Sequence, residues 1–103
     1  MVSIRLFCAA GFSTGMLVNN MKVAAEKRGI ALDIEACAQN RLDDYVREGI
    51  DVALLGPQVS YTLKQSEKVC QQYDVPIAVI LMADYGMLNG DKVLDLALSL
   101  AGK

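Results

Sequence analysis

Two rhythms of apolar and polar positions alternate along this chain. Val2–Phe7 has the make-up of a strand. Ser13–Arg28 then places Leu17, Met21, Ala24 and Ala25 on one face at helical spacing. Ser13 and Thr14 are candidate caps at its start, and Gly29 suits the position just past its end. Ile30–Ala36 alternates Ile30, Leu32 and Ile34 with Ala31, Asp33 and Glu35, the pattern of an edge strand with one wetter face. Gln39–Glu48 predicts a short helix closed by Gly49. Asp51–Leu55 predicts a short apolar strand, and Gly56-Pro57-Gln58 a turn. Val59–Tyr73 predicts a helix with Val59, Leu63, Ser66, Cys70 and Tyr73 near one stripe. Pro76–Leu81 predicts the last strand and 84–90 a loop. Asp91–Ala101 predicts a closing helix with Val93, Leu94, Ala97, Leu98 and Ala101 inward.

Apolar strands joined by helices imply parallel pairing through right-handed crossovers. The expected fold is α/β: a three-layer sandwich whose four-stranded parallel sheet, in the order 2-1-3-4, carries helices on both faces. The point where the strand order reverses then lies at the C-terminal end of strand 1, beside Cys8.

Composition narrows the chemistry. The 103 residues suit one domain, and 53% hydrophobic residues allow a sizeable core without cofactor, metal or disulfide. A net charge of −2 and no Lys/Arg cluster argue against nucleic acid as a partner. The chain has no histidine, which removes His ligands, Ser-His-Asp triads and internal Cys/His pairs. Cys8, Cys37 and Cys70 form neither a CxxC pair nor a zinc spacing, and their odd number suits a reducing cytosol. No apolar run approaches the ~20 residues that span a bilayer.

Cys8 is the principal candidate. It ends an apolar run and precedes small and hydroxyl-bearing residues that lead into a helix: Ala9, Ala10, Gly11, Phe12, Ser13, Thr14 and Gly15. Backbone N–H groups of such a loop and the positive end of the helix dipole favour an anion, and they favour a thiolate for the same reason. The position where a Cys-x5-Arg phosphatase loop has its arginine is Thr14, and no arginine lies between Arg5 and Arg28. Without a guanidinium to stabilise transferring oxygens, the residues suit storing and passing on a phosphoryl group better than hydrolysing it. Gln58 and Tyr85 follow strands 3 and 4 on the same rim. Gln58 is a candidate contact to a bound anion or a helix cap, and Tyr85 a candidate rim or partner contact. Cys37, following strand 2, and Cys70, on an inward stripe, read as packing residues. Arg5 reads as a strand residue with a packed stem and a head at the surface. Asp84, Asp91 and Asp95 are too scattered for a metal site.

At Leu6-Phe7-Cys8-Ala9-Ala10-Gly11-Phe12-Ser13-Thr14, and again at 51–58, Tyr61 and Tyr85-Gly86, the chain resembles the IIB components of the bacterial sugar phosphotransferase system, of the lactose/cellobiose (N,N′-diacetylchitobiose) class. The resemblance spans nearly the whole chain as one domain, 1–103. It implies a cytoplasmic sugar phosphotransferase whose cysteine, here Cys8, takes a phosphoryl group from a phosphohistidine of the IIA component. The group then passes to a sugar, such as cellobiose, chitobiose or lactose, held by the membrane-embedded IIC component. It also implies that loop amides, here Ala9 through Gly15, cradle the phosphate. Two readings compete: a small cysteine-dependent phosphatase, and a non-catalytic α/β binding module with Cys8 merely packed. A redox thiol protein lacks a resolving cysteine nearby in sequence.

Overall fold

The computed structural model describes residues 1–9 and 12–102, with backbone alone for residues 12–14. Four parallel strands, β1 (Val2–Cys8), β2 (Leu32–Ala38), β3 (Val52–Leu55) and β4 (Ile77–Val79), form one sheet in the order β2-β1-β3-β4. The register runs Cys8↔Ala38, Phe7↔Cys37, Phe7↔Leu55 and Leu55↔Val79. All four C-terminal ends therefore share one rim. The helices are α1 (Phe12–Lys27), α2 (Leu42–Glu48), α3 (Leu63–Gln72), α4 (Met82–Gly86) and α5 (Gly90–Leu100).

Side-chain alternation sends successive strand residues to opposite faces, and each face holds its own apolar cluster. Val2, Ile4, Leu6, Ile34 and Leu54 pack with Leu17, Met21, Ala24 and Ala25 of α1 and Val93, Leu94 and Ala97 of α5. Phe7, Cys37, Ala53 and Leu55 pack with Leu42 and Val46 of α2 and Cys70 of α3. β3 is buried at every position, as a central strand covered on both faces must be. β2 lies at the edge and keeps Glu35 and Ala38 exposed.

The expected architecture and strand order hold, and several local expectations are corrected. The helix expected over Gln39–Glu48 begins as a 3-10 turn, Gln39–Arg41, before α2. The helix expected over Val59–Tyr73 is a 3-10 segment, Pro57–Thr62, joined to α3. Val59 departs from helical geometry at φ −114°, ψ 20°, because it drops into the core directly after the Pro57 turn. Tyr73 lies past the end of α3 and is exposed rather than inward. The loop expected over 84–90 contains most of α4, which buries Tyr85 in the α1/α5 cluster. β2 also runs on to Ala38, so Cys37 lies within the strand.

Candidate functional site

Cys8 is the last residue of a central strand, and α1 begins four positions later. It is 2% exposed. By alternation its side chain shares a face with Ile4 and Leu6. Ala9 is exposed on the rim, and Ala10 and Gly11 of the expected cradle lie outside the described residues. Phe12 and the residues Ser13 and Thr14 form the first turn of α1 as backbone, and their side chains lie outside the description too. Gly15 stands half-buried in the same helix. The N-terminal end of a 16-residue helix thus follows Cys8 directly, in the sense that favours an anion.

The strand neighbour of Cys8 on the other side is Gly56. Its N–H donates to the Phe7 carbonyl at 2.8 Å, carrying the β1–β3 pairing one residue past the strand. A Cβ on Gly56 would stand 3.6 Å from the Cys8 Cβ and 2.9 Å from the Gln58 Oε1. Cys8 and the Gln58 carboxamide therefore flank the one spot that glycine leaves clear. Gln58 is exposed, and its side chain folds back toward the strand ends. The Val59 N–H donates to the Gly56 carbonyl, so the turn closes without the Gln58 side chain. Tyr85, the candidate rim or partner contact, is 6% exposed and packs through α4 into the α1/α5 cluster.

The other two cysteines are separated from Cys8 by the sheet itself. Cys37 is in register with Phe7 and shares its face, opposite to that of Cys8. A disulfide needs Cβ atoms about 3.5–4.5 Å apart and converging, which opposite faces do not supply. Burial pushes the Cys37 thiol up, and the Tyr45 hydroxyl bonded to it pulls partly back. Burial also raises Cys70, to about 11.

The nearest strand arginine is committed elsewhere. Arg5 is held at 3.1 Å to the Asp33 carboxylate and donates to the Ile4 and Asp33 carbonyls. Its guanidinium lies 5.8 Å from the centre of the Tyr45 ring, itself edge-on to Phe7. This correction to the expected surface head was not legible in the sequence, because it depends on the β1–β2 register and on α2 closing over that face. Arg41, on the rim after β2, pairs with Asp44 at 3.5 Å. Among the described residues no group of three His, Cys, Asp or Glu is placed to hold a metal ion.

A strand-end cysteine ahead of a helix, on a rim at the strand-order reversal, is compatible with several thiol chemistries. Comparison with known proteins shows the family. The family model "PTS system, Lactose/Cellobiose specific IIB subunit" matches residues 3–96. The chain belongs to this family. Its IIB components are sugar phosphotransferases. The chain is 38% identical over 100 residues to the oligo-beta-mannoside-specific EIIB component of Bacillus subtilis, covering 97% of this chain and 96% of that one. It is 44% identical over 97 residues to the galactose-specific EIIB component of Lactococcus lactis, covering 88% of each. The solution structure of a cellobiose-specific IIB component from Borrelia burgdorferi superposes with a TM-score of 0.79 at 40% identity, covering 98% of this chain and 92% of that one. None of the described helices of this IIB protein is long and apolar enough to cross a membrane.

Proposed function

We propose that this IIB component is a cytoplasmic phosphoryl carrier whose working atom is Cys8 Sγ. The thiolate attacks the phosphorus of a phosphohistidine on the IIA protein in line. The S–P bond forms as the P–N bond breaks, and the departing electron pair returns to the imidazole nitrogen, which takes up a proton. In the second step a hydroxyl of the sugar, held by the IIC transporter, attacks the same phosphorus. The S–P pair returns to sulfur, and the hydroxyl proton is lost to solvent or a partner base.

The observation that carries this reading is the place of Cys8: the C-terminal end of a central strand, at the order reversal, directly ahead of α1. The N-terminal end of α1 supports it, since a helix start favours the charge that a phosphorylated sulfur carries. The absence of histidine from the chain fits a histidine donor on another protein. Exposed apolar side chains on the same rim, Tyr61, Leu81 and Met82, supply the surface for brief docking. The relatives named for oligo-beta-mannosides, galactose and cellobiose share this frame, so the acceptor is a sugar of that broad group.

The test is phosphorylation of the purified protein by a phosphoenolpyruvate-driven cascade containing a matched IIA. Intact mass should rise by one phosphoryl group, and the gain should vanish in Cys8→Ser while persisting in Cys37→Ser and Cys70→Ser. Loading that survives in Cys8→Ser would overturn the assignment.

A further inference from the structure

We infer that Gln58 holds the transferred phosphoryl group, and that Gly56 is a positioning residue which acts by leaving Gln58 its place. The inference rests on Cys8 as the phosphorylated residue.

Residue 56 sits between the two groups. Its N–H ties β3 to β1 at the Phe7 carbonyl, and the space a side chain would fill is bounded by Cys8 Cβ at 3.6 Å and Gln58 Oε1 at 2.9 Å. The backbone there, at φ −64°, ψ 152°, is open to any residue, so conformation does not call for glycine. Space does. Gly56 is itself buried, whereas Gln58 is exposed and free of any duty in closing the turn. An exposed glutamine on the rim has every reason to extend into water, yet the Oε1 of this one lies 2.9 Å from the place a Gly56 Cβ would take.

The chemistry fits the phosphorylated state. A carboxamide offers two N–H donors and carries no charge, so it binds a phosphoryl oxygen without competing for the proton or the sulfur. Its last torsion is broad and close to two-fold, which lets oxygen and NH2 exchange positions at little cost when the anion arrives. The rim arginine Arg41 is paired with Asp44. Gln58 therefore supplies a neutral side-chain donor at the strand end that Cys8 occupies. A neutral donor holds the dianion while leaving it easy to release, as a carrier requires. Gln58 forms and breaks no covalent bond.

The experiment compares wild type, Gln58→Ala, Gln58→Glu, Gly56→Ala and the double variant Gly56→Ala/Gln58→Ala. Rapid-quench measurement gives the rate of loading from phosphorylated IIA, and the lifetime of the phosphocysteine gives its intrinsic stability. Removing a hydrogen bond to a charged group should slow loading about 10- to 100-fold in Gln58→Ala. The loss should fall in the maximal rate, with the half-saturating concentration of IIA unchanged. Gln58→Glu has the same shape but repels the dianion, and it should be slower still. Gly56→Ala pushes the Gln58 carboxamide aside and should match Gln58→Ala. The double variant should be no worse than either single one. Gln58 is exposed, so its variants keep the fold, and circular dichroism checks Gly56→Ala. Loading and lifetime unchanged in Gln58→Ala, or effects of the two substitutions that simply add, would overturn the inference while leaving Cys8 in its role. Loading of Cys8→Ser would instead remove the ground on which it stands.

Discussion

Cys70 shows how a thiol is made inert. It lies fully buried between α3 and the sheet, and burial raises it to about 11 from an ordinary 9.0. The folded protein thus favours the neutral thiol. The associated stability is complete below pH 9, where both states are protonated, and is lost as pH rises from 9 toward 11, where the unfolded chain ionises first. The shift corresponds to at most about 3 kcal/mol. Cys70→Ala should remove this contribution, at a constant cost for the lost sulfur. Urea denaturation at pH 7.5 and pH 10.5 measures it: the stability gap between wild type and Cys70→Ala should shrink at the higher pH. A gap independent of pH would mean that the Cys70 thiol does not titrate with folding. Cys37 is raised in the same direction, with Tyr45 partly opposing. The proposed carrier role of Cys8 therefore rests on its place ahead of α1, since exposure separates the three cysteines hardly at all.

The packing of elements gives sharper expectations than any single contact. α1 and α5 cross so closely that a Cβ on Gly90 would stand 2.5 Å from the Asn20 carbonyl carbon and 2.7 Å from the Met21 nitrogen. Both are backbone atoms, so the helices themselves must part. The Asn20 side chain locks the crossing by donating to the Leu88 carbonyl at 2.8 Å. Gly90→Ala should therefore cost about 1–3 kcal/mol, whereas Gly86→Ala, with open space around it, should stay within about 0.5 kcal/mol. Thermal denaturation of the pair reads the difference. On the opposite face, Asp33→Ala would strip the Arg5 guanidinium of its carboxylate, with the Arg5 Nε already buried and without a partner. A loss of about 1–2 kcal/mol is expected, largely restored by Arg5→Met in the Asp33→Ala background, as urea midpoints would report. How legible these elements were in the sequence depends on how local their causes are. Strand order, the inward stripe of α1 and the place of Cys8 followed from periodicity, because one face of each element dictates the pattern. α4 was missed because five residues cannot establish a helical period, and Tyr85 was placed on the rim for the same reason. The Gly56–Gln58–Cys8 grouping was half legible: the turn was visible, but the carboxamide's fold-back depends on which strand lies next to β1.

At the scale of the whole molecule, parallel strands bring Cys8, Gly56 and Gln58 to one rim and leave the opposite end to turns. The same rim carries Tyr61 at 82% exposure, Leu81 at 68% and Met82 at 72%. These side chains are exposed and contribute little to folding, and the proposed carrier role would use them for brief docking. Leu81 allows a test in which fold and function move in opposite directions. It occupies the N-cap of α4 in extended geometry and makes no side-chain cap hydrogen bond. Aspartate there would cap the helix and stabilise the protein by about 0.5–1 kcal/mol. The same substitution places a charge in an apolar contact, and phosphoryl exchange with IIA should slow about 10-fold through weaker docking. The half-saturating concentration of IIA should rise while the maximal rate and the phosphocysteine lifetime stay as in wild type, the reverse of the pattern expected for Gln58→Ala. Calorimetry and steady-state loading on one preparation of Leu81→Asp measure both effects. A variant that gains stability yet loads with an unchanged half-saturation would place the partner surface away from α4, and the search would move to the Tyr61 side of the rim.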